Sequence, residues 1–281
     1  MLRQKLPRSV LLLVAALVTT SMVVIPSPPG QTETPLTRAI IQSLRNSARL
    51  ILRDRPPRPA RRQDVMVPGD ALVTAQASLA ELRFNDGSLA RIGERALFRF
   101  APRTRTFRLD NGTVLLLIPP GQGQTRVRTP NSIAGIRGSA LFVQYAPETD
   151  TTVVGALTNS GIQVGNRNRS QNQPLQAGQL AVVVKDRITR VYNFDLKTFY
   201  ETNDLVQGLE LTQKPVPGQD DPAIAAVRAE TIEALQEQHQ RFQNPDLTRL
   251  SRLKWLPGLV GAAVSQNLVA QLEPRALPLK D

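Results

Sequence analysis

Residues 126–143, RVRTPNSIAGIRGSALFV, decide the fold of this chain. The stretch begins as an alternating strand, and Pro130 ends that strand because proline offers no N–H to a β-ladder. Gly135 and Gly138 follow, and the apolar run that begins at Ala140 predicts a second strand. Glycines three positions apart indicate a backbone that turns sharply or passes close to another strand. The stretch contains no catalytic motif, so it informs on architecture rather than on chemistry.

The β pattern extends on both sides of this stretch, from residue 65 to residue 184. Residues 85–87, Asn-Asp-Gly, and residues 110–112, Asp-Asn-Gly, predict two tight turns of the same kind, because such turns need positive φ. Four glycines at nearly even spacing each lie between two strand-like runs: Gly87, Gly112, Gly138 and Gly161. This weak repeat predicts strand pairs stacked like the rungs of a solenoid or a sandwich. Regular turns are also expected in any all-β domain, so the spacing alone leaves chance open.

The N-terminus has the pattern of an export signal over residues 1–25. Basic residues at positions 3, 5 and 8 precede an apolar core over residues 10–18. The small residues typical of a cleavage site are poorly matched, so an uncleaved N-terminal anchor in the inner membrane is the alternative to a cleaved signal peptide. No cysteine follows, which excludes a lipoprotein. The proline-rich residues 26–35 are predicted to be a linker.

Residues 36–64 are ambiguous from their pattern alone. Apolar residues from Ile40 to Leu52 recur at the four-residue spacing of a helix. Asn46-Ser47 lies between two short aliphatic runs, which fits a hairpin equally well. Periodicity therefore leaves helix and strand open for residues 37–53.

The C-terminal third has a helical pattern. Asp195 and Asp204 are predicted to cap two short helices within residues 195–218, which end in a linker. Asp221-Pro222 predicts the start of a longer helix that ends near residue 242, within a helical tail over residues 219–281. Leucines repeat every three residues among basic residues over 247–256, which predicts an amphipathic segment suited to peripheral membrane contact.

Composition narrows the classes of function. The chain has no cysteine and a single histidine, His239, which excludes a disulfide, a zinc–thiolate site and a multi-histidine metal site. The net charge of +12 suits an acidic partner, but aromatic residues make up only 4% and no nucleic-acid-binding motif accompanies the charge. No hydrolase or nucleotide-binding motif is present. We therefore expect a protein that is not an enzyme, needs no cofactor or metal and does not bind nucleic acid.

Two pairs of arginines at a spacing of two residues are the candidate partner surface. Arg103 and Arg105 form the first pair, and Arg126 and Arg128 form the second. Each pair projects from one face of its strand, and adjacent strands would form a guanidinium stripe that can bind carboxylates or phosphates. The alternative is an ordinary solvated strand face. Arg137, between two glycines, is expected to hold its turn by hydrogen bonds to carbonyl groups.

The order of these β motifs resembles the FecR domain. The matching stretches are DALVTAQASLAELRFNDGSLARIGERALFRF, TFRLDNGTVLLLI, RVRTPNSIAGIRGSALFV and LQAGQLAVVV, which all lie within residues 65–184. The resemblance implies a mainly β fold, a twisted solenoid-like β-sandwich, over residues 36–194, followed by the helical C-terminal tail. It also implies strands, rather than a helix, for residues 37–53. From the residue pattern, glycines 87, 112, 135, 138 and 161 are predicted to be structural turn positions.

The family's best-known members place a cytoplasmic anti-sigma segment before a membrane span, and their periplasmic domain receives a signal from an outer-membrane TonB-dependent receptor. Only a few residues precede the apolar segment here, so we expect an exported module without the anti-sigma segment. Its expected location is the periplasm or cell envelope. We expect it to contact an envelope protein through the β domain; the alternative partner is an acidic envelope polysaccharide.

Overall fold

The computed structural model describes residues 34–102, 104–214, 221–243 and 252–253. The structure is mainly β, as predicted, with two helices. In chain order, the elements are β1 (Ala39–Arg45), β2 (Ala48–Ile51), β3 (Arg58–Pro59), β4 (Val65–Met66), β5 (Ala71–Thr74), β6 (Leu79–Phe84), β7 (Leu89–Ile92), β8 (Leu97–Phe100), β9 (Thr106–Ile118), β10 (Thr125–Arg128), β11 (Ser132–Ile136), β12 (Ser139–Ala146), β13 (Thr151–Ala156), β14 (Ile162–Asn166), β15 (Asn172–Leu175), β16 (Gln179–Val184), β17 (Arg187–Phe194), α1 (Leu196–Thr202), α2 (Pro222–Gln243) and β18 (Arg252–Leu253).

The strands form two sheets that share the long strand β9. Sheet A has the order β4-β1-β6-β7-β9-β12-β13-β16-β17-β18. Sheet B has the order β3-β2-β5-β8-β9-β10-β11-β14-β15. Neighbours are antiparallel except for β9–β10 and β17–β18. From β6 onward the chain makes one hairpin in one sheet and then crosses to the other, which confirms the predicted stack of strand pairs.

Strand β9 passes from sheet B to sheet A at Gly112. Its first half pairs with β8 and β10, and its second half, from Gly112 to Ile118, pairs with β12. The turn predicted over residues 110–112 is therefore wrong, because the strand bends there without reversing. Gly112 has φ +84°, and a Cβ at this position would lie 2.5 Å from the Ala96 Cα. Glycine is needed at this position because the bend of β9 lies against the backbone of Ala96, in the segment that crosses from β7 to β8.

The other glycine positions divide into hairpins and crossings. Gly87 lies in the β6–β7 hairpin within sheet A, as predicted, with a hydrogen bond of 2.9 Å from the Phe84 N–H to the Ser88 carbonyl. Gly138 connects β11 in sheet B to β12 in sheet A, and Gly161 connects β13 in sheet A to β14 in sheet B. Residues 39–45 and 48–51 form strands β1 and β2, as the resemblance implied. They are not a hairpin, since β1 pairs in sheet A and β2 in sheet B.

Two apolar cores result from this arrangement. The first lies between the sheets and includes a cluster of Phe84, Phe98, Phe100 and Phe107. The second lies on the outer face of sheet A, which the helices cover, and its residues include Phe142, Phe194 and Phe199. Phe142 and Phe199 stack with ring centroids 5.3 Å apart.

The C-terminal helix α2 packs against the sandwich. Helix α2 contributes Val227 and Ala234 to the second core, and its Thr231 is also buried. The buried Gln238 side chain accepts from the Leu196 N–H at 2.9 Å and donates to the Phe194 carbonyl at 2.8 Å. Each of these bonds satisfies a backbone group in the connection from β17 to α1, so one glutamine fixes the helix to the sheet.

Four further predictions concern the helix caps and the ends of the chain. Asp195 caps α1 by accepting from the Thr198 N–H at 2.8 Å, as predicted. Asp204 caps no helix and instead pairs with Arg45, because the chain after α1 continues as turns. Residues 1–25 lie outside the described residues, as does the predicted amphipathic segment 247–256 apart from β18. Among the residues described, no helix has the length and apolar character to span a membrane.

Candidate partner interface

The outer face of sheet B carries a row of arginines on adjacent strands. Arg99 of β8 lies opposite Arg108 of β9, and Arg108 lies opposite Arg128 of β10. Neighbouring strands are about 4.8 Å apart, so the row crosses the strands at that spacing. All three arginines are exposed, whereas their neighbours along the chain, among them Phe107 and Val127, are buried in the core. Strand alternation therefore directs the guanidinium groups to solvent.

This row carries an excess of positive charge. Asp110 accepts from Arg99 Nε at 3.0 Å and from Arg108 Nη2 at 3.2 Å, so one carboxylate serves two guanidinium groups. Arg126, half-buried on β10, donates to the Gln124 side chain. We call this surface of Arg99, Arg108, Arg126 and Arg128, together with Asp110, the arginine face. Exposed ion pairs are weak, so the existing pairs with Asp110 can be exchanged for a partner's carboxylates.

The structure places only one pair of the predicted arginine stripe on this surface. Arg126 and Arg128 lie on the arginine face, but the Arg105 side chain is only 1% exposed and its Nη2 donates to Asp86 at 2.7 Å. It also donates to the Thr125 hydroxyl and the Thr34 carbonyl. Arg105 is thus an interior residue and cannot be part of a partner surface. Arg103 lies outside the described residues.

The sequence contained a signal for this outcome. Arg105 has the same strand parity as Phe107, which is a core residue, whereas Arg108 has the opposite parity. Parity with an apolar neighbour predicts an inward direction, and it would have selected Arg108 for the surface. Arg99 was missed because it joins the row only through its position opposite Arg108. That position depends on the pairing of β8 with β9, which a local sequence pattern does not predict.

Arg137 does not hold its turn. Within the described part of the chain its side chain makes no hydrogen bond to a carbonyl, and it is exposed beside the glutamates of α2. Gly138 makes the turn itself, with φ +147°. Gly135 continues β11 in regular pairing with Arg126 and Gln163, so its role is not that of a turn.

Two glycines leave a shallow groove beside the arginine face. Gly135 of β11 and Gly165 of β14 lie on its floor, and the groove has a volume of about 290 Å³. Amide side chains and arginines line it: Gln124, Gln163, Gln171, Asn172, Arg126 and Arg169. Planar amides over an open floor can hydrogen-bond hydroxyl groups of an extended polar ligand.

Groups for catalysis or metal binding are sparse in the part of the chain that the structure describes. It contains no cluster of three or more histidine, cysteine, aspartate or glutamate side chains that could hold a metal ion. His239 is exposed on helix α2. Burial, and a hydrogen bond to Asp150, raise the pKa of Tyr145 to about 12, so this phenol keeps its proton at neutral pH.

Comparison with known proteins supports the family resemblance over part of the chain. The family model described as FecR protein matches residues 70–160, which extend from the start of β5 to the crossing after β13. Curated proteins gave no match. Two crystal structures of a candidate anti-sigma factor from Parabacteroides distasonis are similar at 14% and 13% identity, with TM-scores of 0.42 and 0.40. The alignments cover 47% of this chain and only 65% and 64% of those chains. The FecR resemblance read from the sequence is thus confirmed for residues 70–160.

Proposed function

We propose that this protein is a non-enzymatic signalling or regulatory module of the cell envelope, which contacts an acidic surface of an envelope protein through the arginine face. The FecR match over residues 70–160 supports a regulatory role. The N-terminal pattern of residues 1–25 supports export. The observation that carries the proposal is the exposed row of Arg99, Arg108 and Arg128 on three adjacent strands.

The two outer faces of the sandwich differ in a way that supports this choice. Helices α1 and α2 cover the outer face of sheet A, where an apolar core forms. The arginine face instead points to solvent and has more guanidinium groups than carboxylates. Arginine binds carboxylates through two parallel N–H bonds, and it is enriched where protein interfaces are tight. A rigid sheet fixes the spacing of these groups, which favours recognition of one arrangement of acidic residues.

Charge reversal tests the proposal. A tagged wild-type protein is crosslinked in cell envelopes, its partner is identified by mass spectrometry, and the affinity is then measured with purified components. The double variant Arg126→Glu and Arg128→Glu is expected to bind that partner at least about tenfold more weakly, because each lost charge pair at an interface costs on the order of 1.4 kcal/mol or more.

A matched control separates the surface from net charge. Arg187 and Arg190 are exposed on β17, in sheet A. The variant Arg187→Glu and Arg190→Glu has the same change in net charge and is expected to bind like the wild type. Equal affinities for the wild type and the Arg126/Arg128 variant would refute the arginine face as the interface.

The groove of Gly135 and Gly165 favours a second candidate, recognition of an acidic envelope polysaccharide. The amide side chains of the groove can hydrogen-bond sugar hydroxyl groups, and the adjacent row of arginines can form ion pairs with regularly spaced carboxylates. The protein is then expected to be retained on immobilised polygalacturonate at low salt and released as the ionic strength approaches about 0.15 M, where the Debye length is about 8 Å. Retention that does not change with salt, or equal retention on neutral dextran, would argue against this candidate.

A further inference from the structure

A cleft of about 680 Å³ opens beside the bend of β9. It lies where the chain crosses between the sheets, and the residues after α1 form part of its wall. Pockets that bind small ligands have volumes of roughly 300 to 1,000 Å³. The cleft is therefore large enough for a ligand of several connected groups.

Strand pairing defines the floor and two walls of this cleft. Residues 111–113 at the bend of β9 are the floor. On one side Gly93, just after β7, donates to the Thr113 carbonyl at 2.9 Å, and the chain continues to Arg95. On the other side Tyr145 of β12 pairs with Gly112, and the chain continues to Glu148. At Gly93 and Tyr145 the two walls are thus two strand spacings apart, or about 10 Å.

Most polar groups of the lining already have partners. Glu94 accepts from the Ala77 N–H at 2.6 Å. Arg45 and Asp204 pair with each other at 2.9 Å. The Tyr145 hydroxyl donates to Asp150 at 3.0 Å. These groups hold the walls in place and leave little net charge for a ligand.

Arg95 and Glu148 are the exceptions among the charged side chains of the lining. Both line the cleft, both are exposed, and within the described residues neither side chain has a hydrogen bond or an ion pair. Arg95 also has φ +51°, a conformation that glycine adopts more readily than arginine.

We propose that this cleft binds a short peptide with free termini, two or three residues long, whose carboxylate contacts Arg95 and whose ammonium group contacts Glu148. An extended peptide advances about 3.3 to 3.6 Å per residue, so two or three residues approach the distance between the walls. A guanidinium group on one wall and a carboxylate on the other match the two ends of such a peptide. The proposal is independent of the arginine face.

The test uses the full chain and a synthetic library of dipeptides and tripeptides with free termini. Binding is detected by ligand-observed NMR, and the affinity of each hit is measured by calorimetry. N-acetylation or C-amidation of a hit is expected to weaken its binding by roughly 10- to 100-fold, since each removes one charged hydrogen bond. Absence of any binding by the wild type, or hits that bind equally well after both ends are blocked, would overturn the proposal.

Variants locate the site without loss of the fold. Arg95→Gly removes the guanidinium group and relieves the positive φ, so it is expected to unfold at the same or a higher temperature while binding roughly 10- to 100-fold more weakly. Glu148→Gln is expected to weaken binding similarly. Arg169 has φ +59° and lies on the other groove, so Arg169→Gly is the matched control and is expected to bind like the wild type. Unchanged binding by Arg95→Gly would refute the assignment.

Discussion

Replacing Arg105 with methionine is expected to lower the free energy of unfolding by about 3 to 5 kcal/mol, the usual cost of removing one partner from a buried ion pair. Its guanidinium group contacts Asp86, whose side chain is 0% exposed. Without Arg105, the Asp86 carboxylate keeps only its bonds from the Ser88 N–H and hydroxyl. The change also removes donors from the Thr34 carbonyl and the Thr125 hydroxyl.

Denaturant titration measures this effect against two further variants. Arg108→Met, three residues away on the exposed face, is expected to cost less than about 1 kcal/mol, because surface ion pairs contribute little. The double variant Arg105→Met and Asp86→Asn should regain part of the loss, since it no longer buries an unpaired charge. An Arg105→Met protein as stable as the wild type would show that the interior pair contributes nothing to the fold.

The location of this ion pair explains its importance. Asp86 lies in the turn of the β6–β7 hairpin of sheet A, and Arg105 immediately precedes β9 in sheet B. One ion pair therefore connects the two sheets near the start of the strand that they share. The bond from Arg105 to the Thr34 carbonyl adds the segment that leads into β1. The residues involved are distant in sequence, so no local pattern indicates that they meet.

Local chemistry predicted the strands and the positions where the chain turns. The Asn-Asp-Gly turn at residues 85–87 predicted the first hairpin correctly. The cap at Asp195 and the proline that opens α2 gave the helix starts. These features depend on neighbouring residues only, since periodicity, capping and positive φ are properties of a short segment.

Which strands pair was beyond such reasoning. A glycine turn between two apolar runs has the same local pattern whether the strands pair with each other or enter different sheets. Gly87 makes a hairpin, whereas Gly161 makes a crossing between sheets. The choice depends on burial of both strands in the common core, which is a property of the whole domain.

The arginine face, likewise, could be predicted only in part from local sequence patterns. The outward directions of Arg126 and Arg128 follow from alternation around the buried Val127. Their extension across the sheet to Arg108 and Arg99 follows only from the parallel pairing of β10 with β9 and the antiparallel pairing of β9 with β8. Parallel neighbours are rare among these strands, so sequence order does not suggest this row.

Replacing Gly112 with alanine is expected to cost about 2 to 5 kcal/mol. The positive φ of +84° contributes about 1 to 2 kcal/mol of this. Overpacking contributes about 1 to 3 kcal/mol, because the new Cβ would lie 2.5 Å from the Ala96 Cα and 2.9 Å from its backbone nitrogen. Backbone atoms cannot rotate away as a side chain can, so β9 or the crossing that contains Ala96 must move.

Gly161→Ala is the matched control for this prediction. Gly161 has φ +66°, and a Cβ there would meet no atom within 4 Å, so it should cost only the conformational part, about 1 to 2 kcal/mol. Thermal and denaturant unfolding of the two variants therefore separate the effect of φ from that of the contact with Ala96. If both alanine variants lose the same stability, the close approach at the bend of β9 does not constrain the sandwich. A larger loss at Gly112 would show that the contact with Ala96, and not positive φ alone, requires glycine where β9 passes between the two sheets.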